Sequence, residues 1–94
     1  MANLPSIELL ESTHVFPGPY IFKAIGKTEN AFVRRVLTAA REAVHSDVDP
    51  PFKARETKGG KHVCVTLTLV VEKAMEVHAI YSRILSVRGL VLLF

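Results

Sequence analysis

Gly26, Lys27 and Thr28 carry the ending of a phosphate-binding loop, and they stand where a strand gives way to a helix, the setting in which such a loop works. The chemistry needs a further glycine five residues earlier, so that backbone amides can wrap the phosphates; Ile21 occupies that position. The triplet is therefore expected to be a strand end followed by a helix start. His62 and Cys64 are two residues apart, which puts both on one face of an extended strand and would offer a soft metal two ligands. A structural zinc site wants four, and His14, His45 and His78 have no metal-site spacing to the pair. The same pair is the only local nucleophile and base, with no third group to orient the base. No catalytic residue, metal or cofactor is expected.

A second kind of chemistry is electrostatic. Lys53, Arg55, Lys58 and Lys61 form a basic stretch that, with Lys23, could touch nucleic-acid phosphates. Charges of this type also protect a sheet edge from strand addition, and the aromatic platform on which base-binding sheets stack their ligand is missing. Nucleic acid is thus the lesser expectation, although a net charge of +3 and a pI near 9.3 permit an acidic partner.

The elements that position these residues follow from periodicity. From Lys61 to Val70 apolar and polar residues alternate: Val63, Val65, Leu67 and Leu69 on one face, His62, Cys64, Thr66 and Thr68 on the other. Lys58, Gly59, Gly60 and Lys61 precede it as a tight turn, which makes this strand the second arm of a hairpin, central in its sheet. Residues 52–57, charged and short, read as the first arm at an edge. Residues 20–25 read as another strand, with Tyr20, Phe22 and Ala24 on one side and Ile21, Lys23 and Ile25 on the other; Pro17, Gly18 and Pro19 break the chain before it and Gly26 ends it.

A first helix is expected to start near Thr28 or Asn30, burying Phe32, Val33, Val36, Leu37, Ala40, Ala43 and Val44, and to be closed by residues 46–51. A second, over 72–85, presents Ala74, Val77, Ile80, Tyr81 and Ile84 on one face. Residues 90–94 are apolar at both parities, the pattern of a strand covered on both sides or held in an interface. Residues 1–15 read as an arm with one turn of helix, and 16–94 as a single domain.

The order strand, helix, strand, strand, helix, strand with right-handed crossovers gives a ferredoxin-like βαββαβ sandwich: a four-stranded antiparallel sheet with two helices on one face. At 94 residues folding hides only about 60–65% of the unfolded chain's surface, enough for a modest core and too little for a deep catalytic cleft. The apolar fraction of 49% and mean hydropathy of +0.26 are high for a lone monomer, so some apolar surface is expected to be shared. The single cysteine fits a reducing compartment, and neither a signal peptide nor a membrane-spanning run is read, which makes a cytoplasmic location the expectation.

Two stretches also resemble a known family. Phe16, Pro17, Gly18, Pro19, Tyr20, Ile21, Phe22, Lys23, Ala24, Ile25 and Gly26 are similar to the opening signature of the YbeD-like bacterial proteins, a family of unknown function, and residues 58–69 are similar to its hairpin and alternating strand. His62 stands where that family usually has Tyr, and Cys64 where it often has Ser. The resemblance implies a small domain of ACT-like architecture, a class that binds small effectors and pairs side by side into dimers, and it implies no activity. The resulting expectation is a non-enzymatic regulatory or interaction module that forms a homodimer or docks on another protein and takes a small effector, with Ile21, Lys23, Ile25, Lys58, Gly59, Gly60, Lys61, His62, Val91 and Leu93 as its ligand or partner surface. The arm, through Ile7, Leu9 and Leu10, is the alternative cover for the apolar part of that surface.

Overall fold

The computed structural model describes residues 4–29 and 31–94. Its elements run α1 (Ile7–Thr13), β1 (Gly18–Lys27), α2 (Phe32–Ala43), β2 (Phe52–Glu56), β3 (His62–Val71), α3 (Ala74–Leu85) and β4 (Leu90–Leu93). The strands form one antiparallel sheet in the order β2-β3-β1-β4. This is the ferredoxin-like sandwich, with β3 and β1 central and the charged β2 on an edge.

Parity decides which side of the sheet is wet. Along β3 the inward set Val63, Val65, Leu67, Leu69 and Val71 is buried, while His62, Cys64, Thr66 and Thr68 are half-buried and Val70 is exposed. On β1, Tyr20, Phe22 and Ala24 join the same core. The helices close over that face with the side chains their 3.6-residue period brings round: Phe32, Val36, Leu37, Ala39 and Ala40 from α2, and Ala74, Val77, Ile80, Tyr81 and Ile84 from α3. Tyr20 and Tyr81 meet inside, hydroxyl to hydroxyl at 3.3 Å. Burial and then this partner push the Tyr81 phenol well above its ordinary range.

Several boundaries differ from the sequence reading, each for a local reason. Gly18 and Pro19 belong to β1, opposite Val71 and Val70, instead of breaking it. Lys23 and Lys27 hydrogen-bond towards β4, so the odd-numbered residues of β1 face that side. The ladder to β4 ends at Lys23 and Phe94, so the N–H that Pro19 lacks has no partner to serve. Gly26 does not end the strand either; a bulge between Ile25 and Gly26 carries it on to Lys27, whose N–H donates to the Gly89 carbonyl at 3.0 Å.

Thr28 does not cap α2. Its N–H donates to the Lys61 carbonyl, and the cap position is Ala31, in the left-handed region at φ 73°, with no side-chain hydrogen bond; Asn30 lies outside the described residues. At the other end His45 takes φ 54°, and the Ser46 and His45 N–H groups return to the carbonyls of Arg41 and Glu42. That pattern is a Schellman stop with histidine in the usual glycine place, so α2 ends before the prolines are reached. The expected arm holds α1, capped by the Ser6 hydroxyl, which accepts from the Leu9 N–H. Leu10 is buried, and the His78 ring nitrogen on α3 meets the Pro5 carbonyl. The arm therefore packs on the helical side and leaves the other sheet face uncovered.

The loop after α2 is fastened by Asp49, which accepts from Arg34 through both oxygens at 2.9 and 3.0 Å and lies 3.4 Å from Arg41. The hydrogen bond from Arg34 is the main cause holding the Asp49 carboxyl below its usual range. A depressed folded-state pKa stabilises above the unfolded value of about 3.9, and that stabilisation disappears as pH falls through the lower folded value. Asp49→Asn is therefore expected to lower the melting temperature slightly at pH 7, with the gap to the parent protein closing as the pH is taken down through the unfolded and then the lower folded value. A gap that persists at acid pH in a thermal melt would assign Asp49 a role other than charge.

Candidate functional site

The uncovered sheet face is built by register. Lys53 on β2 lies opposite Thr66 on β3, Thr66 opposite Lys23 on β1, and Lys23 exchanges backbone hydrogen bonds of 2.9 and 2.8 Å with Phe94. The next row runs Arg55, Cys64, Ile25, Leu92. Directly opposed residues of antiparallel strands share a face, so these rows set a cationic half on β2 and an apolar half towards β4. Ile21, Leu92 and Phe94 are 58%, 52% and 58% exposed.

The expected surface residues divide accordingly. Ile21, Lys23 and Ile25 lie on this face as read, His62 is at its end, and Val91 is exposed beside the bulge. Leu93 does not belong to it: paired with Ala24, it points into the core and is only 7% exposed. Leu92 holds the outward place instead. A strand apolar at both parities gives no sign of which set turns inward, and the bulge at Ile25/Gly26 decides it. Lys58, Gly59, Gly60 and Lys61 form the exposed β2–β3 turn, with φ of 93° and 72° at the glycines and the Gly60 N–H donating to the Thr57 carbonyl. Neither lysine of the turn reaches the cleft described next.

Lys23, Lys53, Arg55, Cys64 and Thr66 line a cleft of about 210 Å³ in the cationic half. A neighbouring cleft of about 250 Å³, lined by Pro51, Phe52, Lys53, Thr66 and Thr68, shares two of its walls. On the helical side, Arg34, Arg35, Arg83 and Arg88 surround a wider groove of about 380 Å³ between α2 and α3. There three of the four arginines have counter-charges: Arg34 meets Asp49, Arg35 lies 3.8 Å from Glu29 and Arg83 lies 3.3 Å from Glu42. An apolar cleft of about 240 Å³ opens between the loop after α2 and β3, edged by Val48 and Val70.

Gly26 and Lys27 are strand residues, so no phosphate-wrapping loop forms around Gly26, Lys27 and Thr28. His62 and Cys64 share the open face, and among the described residues no group of three or more His, Cys, Asp or Glu side chains is placed to hold a metal. Nor is any helix among them long and apolar enough to cross a membrane.

A four-stranded antiparallel sheet, helices on one side and, on the other, a bare face whose strand side chains include no Asp or Glu define a small ferredoxin-like α+β domain. The chain belongs to the DUF493 family of proteins of unknown function, whose family model matches residues 11–93, and the YbeD-like resemblance of residues 16–26 and 58–69 is consistent with that membership. Comparison with curated proteins finds no match.

Proposed function

We infer that this is a non-enzymatic, cytoplasmic regulatory or interaction domain that self-associates through β4 and the apolar half of its open face, and that takes a small effector on the same face. The observation that carries the reading is the exposed cluster of Ile21, Val91, Leu92 and Phe94 beside a strand hydrogen-bonded on one side only. Such an edge accepts a further strand, and a contiguous apolar patch favours burial. A second copy is the occupant that the charge distribution supports. Pairing β4 against β4 sets the apolar halves side by side in one continuous sheet while holding the cationic β2 edges at its opposite ends. Stacking the faces squarely would instead bring Lys23, Lys53 and Arg55 of both copies into repulsion. Nucleic-acid binding is the weaker reading, since the open face of β1 and β3 displays no Phe, Tyr or Trp, and a single half-buried His62 at its end, for bases to stack on.

Light scattering after gel filtration tests the association. The parent chain is expected to run as a dimer at micromolar concentration, and Leu92→Glu, which sets like charges beside each other across the seam, as a folded monomer. A parent protein that stays monomeric over a hundredfold range of concentration would remove self-association from the reading.

A further inference from the structure

We propose that the cleft between Lys23, Lys53, Arg55 and Thr66 is a binding site for a small phosphoryl dianion, the phosphate monoester of a low-molecular-weight ligand. The site lies within one protomer, so it stands whether or not the chain self-associates.

Charge is the first support. The strands contain one acid, Glu56, and its register opposite Val63 puts it on the core parity of the sheet, away from the cleft. All ion pairs among the described residues join α2 and α3 to each other or to the loops flanking α2: Arg34 and Arg41 to Asp49, Arg35 to Glu29, Arg83 to Glu42. The chain's net charge of +3 is thus concentrated on the open face, where Lys23, Lys27, Lys53 and Arg55 have no carboxylate in the strands beside them. Like charges gathered on one face of a sheet destabilise it, and an anion bound among them reverses the sign of that interaction.

Geometry is the second. Lys53 and Lys23 flank Thr66 in one cross-strand row, about 10 Å apart at the backbone for strands spaced near 4.8 Å, so their long stems can converge over the Thr66 hydroxyl. Arg55 sits in the adjacent row, about 7 Å along β2, and brings a planar fork that donates two parallel hydrogen bonds to a pair of oxygens. The cations and the hydroxyl donate from different strands, an arrangement suited to a tetrahedral oxyanion more than to a flat carboxylate. A phosphate monoester is largely doubly charged at neutral pH, its second pKa lying near about 6.

Size selects within that class. At about 210 Å³ the cleft is smaller than the roughly 300 Å³ at which pockets for drug-sized ligands begin, so it holds the phosphoryl group alone. The neighbouring cleft, which shares Lys53 and Thr66 and adds Thr68, receives a hydroxylated body. A polynucleotide would need a cationic track and stacking surfaces; the open face has one cluster of cations and no Phe, Tyr or Trp on its central strands. In the arginine groove between α2 and α3, three of the four arginines already have the counter-charges Asp49, Glu29 and Glu42.

Nitrogen–proton correlation spectra of the full chain, titrated with inorganic phosphate against chloride at constant ionic strength, test the site. The expected result is saturable shifts at the backbone amides of Lys23, Lys53, Arg55 and Thr66. Lys53→Gln combined with Arg55→Gln weakens the affinity by roughly tenfold or more, the scale of one lost charge-assisted hydrogen bond. Arg55→Lys, which keeps the charge and loses the fork, weakens it several-fold with the rest of the spectrum unchanged. Non-saturating shifts equal to those with chloride, shifts centred on Arg34, Arg35 and Arg83, or binding of a single-stranded oligonucleotide without binding of phosphate would each overturn the proposal. The same titration on Leu92→Glu separates this site from the self-association surface, since the phosphate affinity is expected to be retained.

Discussion

Phe22→Ala is expected to lower the unfolding free energy by about 3–5 kcal/mol, the range for truncating a fully buried phenylalanine. Phe22 is completely buried at the centre of β1, opposite Leu67 on β3. Its ring meets Tyr81 of α3 edge-on at 4.9 Å and Tyr20 at 4.8 Å, so one side chain couples a central strand to a helix. Removing it leaves a cavity that neither strand can close, because the ladder to β3 fixes the backbone, and it forfeits the aromatic contacts as well. Domains of this size are stable by about 5–15 kcal/mol, so the variant should sit near the threshold of folding at 37 °C. Urea denaturation checks this: the midpoint should fall with little change in slope. Phe22→Leu, which refills part of the space, should recover a good share of the loss. A loss below about 1 kcal/mol would mean that the Tyr20–Phe22–Tyr81 cluster does not hold the helix to the sheet.

The sandwich was legible wherever a side-chain period was unambiguous. The alternation of β3 places His62, Cys64, Thr66 and Thr68 on the open side, and the helical spacing in α3 picks out the five residues that are buried there. Three kinds of feature were not legible. Chain ends set by backbone conformation, such as Ala31 and His45 in the left-handed region, leave no trace in a sequence that lacks glycine or asparagine at those points. The two outcomes available to residues 90–94 were equivalent by composition, so Leu92 and Leu93 were separable only once the bulge fixed their register against β1. The cleft around Thr66 exists only because Lys53 and Lys23, thirty residues apart, fall in register on either side of it. Lys23, Lys53 and Arg55 were visible as cations; that Lys58 and Lys61 stay outside the cluster follows from the turn that ends β2 at Glu56.

The same bulge is the weak point of the open face, and Gly26→Ala is expected to expose it with a loss of about 1–3 kcal/mol, the range for overpacking a core. The limitation is space. A Cβ on Gly26 would lie 2.7 Å from Phe32 Cε2 and closer still to Cζ and Cε1 of the same ring. Phe32 is fully buried in the first turn of α2 and has little room to retreat: on another side of its ring a Cβ on Gly89 would stand 3.4 Å away, and Gly89 already holds φ 92°. The ring thus sits in a slot between two glycines that bracket the β1–β4 pairing, where Lys27 bonds to Gly89. Relief has to come from the ring or from the strand. Phe32→Leu shortens the side chain at the clashing atoms, so the double variant is expected to be more stable than the sum of the two single losses allows, with a coupling of about 0.5–3 kcal/mol. Strictly additive losses in the denaturation cycle would show that Gly26 is required for another reason. If the strand yields instead, β4 shifts against β1 and Leu92 leaves the open face, so Gly26→Ala should also weaken self-association while the phosphate titration of the β2–β3 side stays as in the parent chain.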